Sequence, residues 1–204
     1  KDNFKVRILD INKPSIEHKN LEFLKCDISR IETINRAFSD IDIVYHNAAT
    51  LPIANNKRLF WLVNYEGTKN VVNLSIKHNI KKFIYISSSS IYANNKEKII
   101  NEETKPIPLE EYGKSKLAGE NYSISKKDKF KSLIVLRPRT IIGEGRFGLF
   151  QIIFEWVYKN YKIPVLNNGK NLFQFVYSKD FLSACLLSEK LNGYYKFNIG
   201  SKKI

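Results

Sequence analysis

Short apolar runs of strand length alternate along this chain with longer stretches of helical periodicity. The apolar runs predict strands, and the periodic stretches between them predict helices. Such an alternation is typical of a parallel sheet covered by helices, so we predict an α/β protein with a doubly wound parallel sheet. The predicted strands cover residues 4–9, 21–24, 41–45, 83–86 and 133–136, and the predicted helices cover residues 31–38, 57–78 and 109–124.

The rhythm of the sequence changes after Arg137. We therefore expect a main domain over residues 1–142 and a smaller lobe over residues 143–204, interleaved with the main domain and lying over its sheet. The sequence of this lobe predicts a glycine-containing loop at 143–148, an aromatic-rich helix at 150–158 and short strands around Val165, Phe175 and Phe197.

Composition excludes several classes of protein. A chain of 204 residues with 43% hydrophobic residues can bury a core and is not of the disordered type. Cys26 and Cys185 are too few for a disulfide framework, which predicts a reducing, cytoplasmic setting. No apolar run approaches the ~20 residues that span a bilayer. The net charge of +14 comes mostly from dispersed lysines, so no nucleic-acid partner is expected, and His18, His46 and His78 lack metal-ligand spacing, so no metal is assigned.

Two aspartates follow the first two predicted strands. An acidic residue such as Asp10, at the carboxyl end of a strand, can bond both ribose hydroxyls of NAD and would repel the 2'-phosphate of NADP. The alternative is an ordinary turn residue, and Asp27 is likewise either a helix cap or a contact to adenine.

No glycine-rich phosphate loop precedes Asp10, and the chain contains no methionine. We therefore expect that the first βα unit of a dinucleotide-binding fold is missing.

Polar and small residues gather after two later strands. Small residues follow the strand at 41–45, where backbone can approach a flat ligand, and four serines, Ser87 to Ser90, follow the strand at 83–86. On the helix at 109–124, Tyr112 and Lys116 lie four residues apart and so share one face. Five of the 11 tyrosines have a lysine at this spacing. The small residues beside Tyr112 and the serine-tipped strand before it distinguish this pair from the others.

The order of these motifs resembles the extended short-chain dehydrogenase/reductase family, of the NAD-dependent epimerase/dehydratase type. The resemblance covers essentially the whole chain. It is carried by the strand ending in Asp10, Asp27-Ile28, His46-Asn47-Ala48-Ala49, Asn64-x-x-Gly67-Thr68, Ser87-Ser88-Ser89, Tyr112-x-x-x-Lys116 and Leu136-Arg137-Pro138.

The resemblance implies a Rossmann-type sheet lacking its first βα unit, a small C-terminal substrate lobe, and a homodimer formed through the helices of Asn64 and Tyr112. It makes Tyr112 the acid/base, Lys116 its helper and Ser88 the active-site hydroxyl. NAD is the expected cofactor, with NADP less favoured. The residues that it places at the cofactor are Asp10, Asp27, Ile28, Asn47, Ala48, Ala49, Asn64, Tyr112 and Lys116.

The physics of the Tyr–Lys pair agrees with these implied roles. A tyrosine with a pKa near ~10 must have that pKa lowered by about three units to act as a base at neutral pH, which takes about 4 kcal/mol. A lysine ammonium at ~4 Å supplies about that much at an effective dielectric constant near 20. Tyr112 would then exchange a proton with a substrate hydroxyl while hydride passes to or from the nicotinamide.

Departures from the family pattern bear on the substrate. Ser89 and Ser90 stand where dehydratases of the family have Asp and Glu, which disfavours dehydration, and Phe173 replaces the arginine with which the family binds the substrate phosphate. A nucleotide sugar, epimerised or reduced, remains the first hypothesis. The alternatives are a 3β-hydroxysteroid or dihydroflavonol-type reductase, and a non-catalytic NAD(P)- or RNA-binding protein. The proposed substrate contacts are Ser89, Thr140, Arg146 and Gln174, with Arg139 as a further polar candidate. The chain by itself is expected to be unstable and inactive.

Overall fold

A computed structural model describes residues 4–54, 56–97, 99–144, 149–170 and 172–201. Within them the chain forms an α/β fold in which every paired strand runs parallel to its neighbour. The strands are β1 Val6–Asp10, β2 Leu21–Lys25, β3 Ile43–His46, β4 Lys82–Ile86, β5 Ser132–Pro138, β6 Thr140–Ile142, β7 Phe175–Tyr177 and β8 Gly193–Ile199.

The main sheet has four strands in the order β3-β4-β5-β8. Strands β4 and β5 are its interior strands, and all seven residues of β5 are buried. Their continuous apolar sequence is explained by helices on both faces, because each face then needs apolar side chains. Phe83 and Tyr85 pack in one core with Val72, whereas Ile84 and Ile86 pack in a second core on the opposite face. This alternation confirms the predicted doubly wound, parallel α/β architecture.

Strands β1 and β2 form a separate parallel pair. Two contacts fasten this pair to the rest of the fold. The Arg7 guanidinium donates 2.9 Å hydrogen bonds to the carbonyl oxygens of Ala37 and Ser39. The Asn70 side chain donates a 3.0 Å hydrogen bond to the carbonyl oxygen of Ile28, which lies in the loop after β2. Strand β1 is therefore tied to the segment before β3, and the loop that follows β2 is tied to the helix that carries Asn70.

The helices are α1 Ile31–Ile34, α2 Lys57–Phe60, α3 Thr68–Lys77, α4 Glu111–Ser125, α5 Leu149–Tyr158 and α6 Ser178–Ser188. The sequence predicts one regular helix over 57–78, but the structure divides it. A π-helical segment, Trp61–Gly67, lies between α2 and α3. Such segments are rare and are often found at functional sites.

The C-terminal part differs from the sequence-based prediction in three places. Residues around Phe197 form β8, which pairs with β5 in the main sheet rather than in the smaller lobe. Residues around Val165 form no strand. Helix α6 lies between β7 and β8, where the sequence analysis places no helix, and it contributes Cys185 to the second core. The third expected strand, around Phe175, is β7 and pairs with β6.

Candidate active site

Tyr112 and Lys116 lie one turn apart on the same face of α4, where Tyr112 is partly buried and Lys116 is buried. Lys116 is 2% exposed, and its Nζ donates a 2.7 Å hydrogen bond to the carbonyl oxygen of Ile86, the last residue of β4. The same ammonium lies 4.7 Å from the centre of the Tyr85 ring, which is a cation–π contact. The Tyr85 hydroxyl donates a 3.2 Å hydrogen bond back to the Lys116 carbonyl oxygen. Lys116 is thereby fixed to the end of β4 at both its backbone and its side chain.

Burial lowers the pKa of Lys116 to about 8, and the negative charge of Glu120, one turn further along α4, opposes this shift. Burial disfavours the charged ammonium because the low-dielectric interior replaces its hydration. A lysine with this pKa can change its protonation state near neutral pH, which an exposed lysine does not do. The arrangement suits a group that takes part in proton transfer.

Ser88 ends the loop after β4 and begins the 3₁₀ turn Ser89–Tyr92. Its Oγ accepts a 3.2 Å hydrogen bond from the backbone N–H of Ser90. The first turn of α4 packs directly on this 3₁₀ turn, since a Cβ added at Gly113 would lie 2.8 Å from the Ser90 carbonyl oxygen. The absence of a side chain at Gly113 therefore lets the helix of Tyr112 approach the turn of Ser88.

Tyr112 is half-buried, and its ring meets the Phe60 ring edge-on at 5.8 Å. Its carbonyl oxygen accepts a 2.8 Å hydrogen bond from the Ser115 hydroxyl. The aromatic contact orients the Tyr112 ring, since edge-on pairs favour one geometry. The structure thus places Ser88 two residues after β4, Lys116 against the last residue of β4, and Tyr112 one turn before Lys116 on α4.

Asn64 occupies the middle of the π-helical segment and is completely buried. Its Oδ1 accepts a 2.8 Å hydrogen bond from the Thr50 N–H, and its Nδ2 donates to the Thr50 carbonyl oxygen at 3.3 Å and to the Ser115 hydroxyl at 3.1 Å. Asn64 therefore joins the loop after β3 to α4. These contacts are structural, and they fix the segment that carries Asn47, Ala48 and Ala49.

His46 was not assigned a role of its own by the sequence patterns, yet it lies at the centre of a buried cluster. It is 3% exposed, and its Nε2 lies 2.8 Å from the Thr68 hydroxyl, which donates to the Asn64 carbonyl oxygen. Its ring also packs against the Tyr85 ring. Burial, and then the charge of Lys116, lower the pKa of His46 to about 3, so the ring is neutral at physiological pH.

The residues expected at the cofactor follow the carboxyl ends of β1, β2 and β3. The exposed Asp10 carboxylate accepts a 2.9 Å hydrogen bond from the Asn12 N–H, and the Asp27 carboxylate accepts bonds from the N–H and the hydroxyl of Ser29. Ile28 is buried and packs on Gly67, where an added Cβ would lie 2.8 Å from the Ile28 side chain.

In the loop after β3, Asn47 is exposed and Ala48 and Ala49 are partly buried. Small side chains at this point leave the backbone accessible at the edge of the sheet. The Asp10 and Asp27 carboxylates and the small residues after β3 therefore lie along one edge of the fold, and neither aspartate forms an ion pair within the described ranges.

The expected substrate residues within the described ranges lie after β4, after β5 and just before β7. The Arg139 Nη1 lies 3.4 Å from the Ser89 hydroxyl, and the Gln174 side chain donates a 2.7 Å hydrogen bond to the Ser201 carbonyl oxygen. A Cβ added at Gly200 would touch both the Arg139 and the Gln174 side chains, so these two residues are neighbours. Thr140 begins β6 opposite Phe175. Arg146 lies outside the described residues.

One buried ion pair near the site was not predicted from the sequence. The Arg137 guanidinium donates to both Glu120 carboxylate oxygens, from Nη2 at 2.5 Å and from Nε at 3.2 Å, and both side chains are almost completely buried. Arg137 also donates to the Tyr92 hydroxyl. The guanidinium thus connects β5, α4 and the 3₁₀ turn after Ser88. An arginine within an apolar strand is the signal that could have indicated a buried partner.

Neither a metal-ligand cluster nor a membrane-spanning helix occurs among the described residues. No group of three or more histidine, cysteine or acidic side chains comes together there as metal ligands would. None of the helices in the same ranges has the length and apolar character that crossing a bilayer requires.

Comparisons with known proteins agree with this architecture. The chain is 44% identical over 200 residues to the uncharacterized protein y4nG of Sinorhizobium fredii, which covers 96% of this chain and 50% of that protein. It is 27% identical over 190 residues to the sterol-4-alpha-carboxylate 3-dehydrogenase, decarboxylating, of Bos taurus, covering 91% of this chain and 53% of that enzyme. The chain therefore spans about half the length of these curated relatives.

A solved structure of MoeE5 in complex with UDP-glucose and NAD has the same fold. It superposes with a TM-score of 0.84 at 20% identity, covering 97% of this chain and 68% of that one. The model of the NAD-dependent epimerase/dehydratase family matches residues 3–200, which include every element described above. The chain belongs to the NAD-dependent epimerase/dehydratase family.

Proposed function

We propose that the whole protein uses NAD to oxidise and reduce a secondary hydroxyl of a nucleotide sugar, as an epimerase or a reductase. The observation that carries this proposal is the position of Lys116. Its buried ammonium, with a pKa lowered to about 8, is bonded to the last residue of β4, two positions before Ser88, and belongs to the helix of Tyr112. A lysine is costly to bury, and its placement beside a tyrosine and a serine is suited to proton transfer at a substrate hydroxyl.

NAD would be held along the carboxyl ends of the strands. Asp10 would bind the adenosine ribose, Asp27 and Ile28 would lie at the adenine, and Asn47, Ala48 and Ala49 would border the pyrophosphate and ribose. The exposed Asp10 carboxylate and the small residues after β3 fit that use. When bound, NAD supplies the acceptor and donor of hydride. MoeE5, a protein of the same fold, is described with NAD, which supports this assignment.

The proton would be handled by this chain's own residues. Tyr112 would remove the proton of the substrate hydroxyl and later return it, with the Lys116 ammonium favouring the phenolate form of Tyr112. The Ser88 hydroxyl would donate to the substrate oxygen as it becomes a carbonyl. Thr140 and Gln174 would contact the substrate from the smaller lobe, and Asn64 would keep the loop after β3 against α4 through its bonds to Thr50 and Ser115.

The second candidate is a 3β-hydroxysteroid-type dehydrogenase, which uses the same proton transfer on an apolar substrate. Two observations favour it. One relative is a sterol-4-alpha-carboxylate 3-dehydrogenase. Helix α5 also exposes large apolar side chains, with Phe154, Val157 and Tyr158 more than half exposed. An apolar surface of this kind suits an apolar ligand.

The test uses the whole protein, loaded with NAD and supplied in turn with UDP-glucose and with a 3β-hydroxysterol. Reduction of NAD is followed by the absorbance of the reduced nicotinamide, and epimerisation by chromatography of the sugar. We expect turnover of UDP-glucose or a related nucleotide sugar that Tyr112→Phe abolishes. Tyr122→Phe is the matched control, because Tyr122 lies on the same helix and also has a lysine four residues later. Turnover that persists in Tyr112→Phe, or turnover of the sterol alone, would contradict the proposal.

We further propose that the whole protein is a homodimer in the cytoplasm. The helical layer around Asn64 exposes Leu59, Trp61 and Leu62, which would be covered by a second copy. Cys26 and Cys185 are free and buried, which fits a reducing compartment. Light scattering tests the assembly: a dimer that Trp61→Glu dissociates is expected, and a monomeric wild type would contradict it.

A further inference from the structure

Arg139 lies beside Ser89, the residue that follows the proposed active-site serine. It follows β5, at the same edge of the sheet as the end of β4, and its Nη1 is 3.4 Å from the Ser89 hydroxyl. Ser89 directly follows Ser88. A positive charge is therefore placed at the residue that follows the proposed active-site serine.

The stem of Arg139 is held in place by its surroundings. Its backbone N–H donates a 2.8 Å hydrogen bond to the Ile199 carbonyl oxygen at the end of β8. The stem lies across Gly200, where an added Cβ would be 3.1 Å from the Arg139 Cγ and 2.9 Å from the Gln174 side chain. Because Gly200 has no side chain, the stem of Arg139 can pack there beside Gln174, which is bonded to Ser201.

The charge of Arg139 is not neutralised by the part of the chain that the structure describes. Arg137, two residues earlier, is buried and paired with Glu120, whereas Arg139 is exposed and its recorded side-chain partner is the Ser89 hydroxyl. No described carboxylate forms an ion pair with Arg139. The neighbouring positions after β4 are all serines, and the Ser90 hydroxyl is buried without a partner in the described ranges.

A guanidinium beside neutral hydroxyls can bind a carboxylate. The planar fork of arginine matches the two carboxylate oxygens, and serine hydroxyls can donate to the same group. An uncharged hydroxymethyl group at the same position of a neutral sugar cannot form an ion pair with the guanidinium. We propose that Arg139, together with Ser89, binds a carboxylate on the sugar ring whose hydroxyl is oxidised, so that the substrate is a nucleotide-linked uronic acid. This inference rests on the proposed nucleotide-sugar chemistry.

The test compares UDP-glucuronic acid with UDP-glucose on the whole protein loaded with NAD. The two probes carry the same diphosphate and differ in the ring carboxylate, so the comparison separates the two anionic groups. Steady-state turnover and calorimetric binding are measured for the wild type, Arg139→Gln and Arg139→Lys. Arg36→Gln is the control for loss of a positive charge, because Arg36 is exposed and lies before the amino end of β3.

We expect the wild type to prefer UDP-glucuronic acid and Arg139→Gln to lose about tenfold or more in affinity for it, since charged hydrogen bonds are the strong ones. Its affinity for UDP-glucose should stay within about twofold, and Arg139→Lys should recover part of the loss. An equal loss for both probes would mean that Arg139 contacts the diphosphate, and an absence of preference in the wild type would mean that it binds no carboxylate. Either result overturns the inference.

The same measurements distinguish a failure of the proposed function from a failure of the carboxylate site. If the protein binds the probes but no hydride is transferred, the chemistry assigned to Tyr112 is wrong, whereas the calorimetric preference still decides the role of Arg139. If hydride is transferred but Arg139→Gln leaves the preference unchanged, the chemistry holds and the carboxylate site is wrong.

Discussion

The side-chain nitrogen of Lys116 donates a 2.7 Å hydrogen bond to the backbone carbonyl of Ile86. One partner belongs to α4 and the other ends β4, so this bond positions the proposed catalytic helix against the strand that leads to Ser88. The Tyr85 ring lies under the same ammonium at 4.7 Å. A carbonyl dipole and an aromatic face stabilise the positive charge only in part, which is consistent with the lowered pKa of Lys116.

Replacing Lys116 with methionine should raise the stability of the fold while reducing activity. The pKa of Lys116 is about 8 in the folded protein and about 10.5 in the unfolded chain, so the charged lysine destabilises the fold by about 3 kcal/mol below pH 8. This penalty disappears as the pH rises from about 8 to about 10.5. Urea unfolding should therefore show a gain for Lys116→Met at pH 7 that shrinks by pH 10, with turnover lower by about 100-fold or more. A pH-independent difference in stability would contradict the assignment.

His46 should make the protein sensitive to acid. The pKa of His46 is about 3 in the folded protein and about 6.5 in the unfolded chain. Between these two pH values the unfolded chain binds a proton at His46 and the folded protein does not. Stability should fall by roughly 1 kcal/mol for each pH unit between about pH 6 and pH 4. His46→Gln should flatten this slope in urea titrations, whereas His18→Gln, at an exposed position, should leave it unchanged. Equal slopes for all three proteins would refute the role of His46.

Gly119 should not tolerate alanine, although alanine favours helices. A Cβ at this position would clash with the Asn64 carbonyl oxygen and lie 2.7 Å from the Tyr85 hydroxyl, so α4 would have to move away from the π-helical segment. We expect Gly119→Ala to destabilise the protein by about 1–3 kcal/mol. Asn121→Ala, at an exposed position of the same helix, should be neutral or slightly stabilising. Thermal unfolding of both variants decides the matter; an unchanged melting temperature in Gly119→Ala would contradict the close approach.

The Glu120–Arg137 pair should be strongly coupled. Removing one partner, as in Arg137→Met or Glu120→Leu, leaves a buried charge and should destabilise the fold by about 3–5 kcal/mol. The double variant should recover much of this loss, because no charge then remains buried. A double-mutant cycle measured by urea unfolding gives the coupling directly. Additive losses in the cycle would show that the two side chains act independently.

The sequence indicated much of the fold because strand and helix periodicity are local properties. The apolar run at 83–86 gave β4 within one residue, and the period of residues 109–124 gave α4 within two. The order of motifs also indicated the family. Local periodicity did not reveal the π-helical segment Trp61–Gly67, because so short a run of i→i+5 hydrogen bonds has no apolar period that distinguishes it from a regular helix.

Other features depended on contacts between distant residues. Strand β8 joins the main sheet by pairing with β5, which lies 61 residues earlier in the chain. Ser132 of β5 lies opposite Gly193 of β8. The pairing of Glu120 with Arg137 and the placement of Tyr85 beneath Lys116 likewise join separate elements. Sequence spacing carries no information on which elements pack together, so these relationships could not be read from it.

The sequence by itself determined the alternation of strands and helices, the serines after β4 and the four-residue spacing of Tyr112 and Lys116, because each follows from neighbouring residues. Only the tertiary structure decided that Lys116 is buried, that His46 is neutral and that Arg139 stays exposed beside Ser89. Burial and electrostatic environment are set by packing across the whole fold, and it is these properties that turn a pattern of residues into a site.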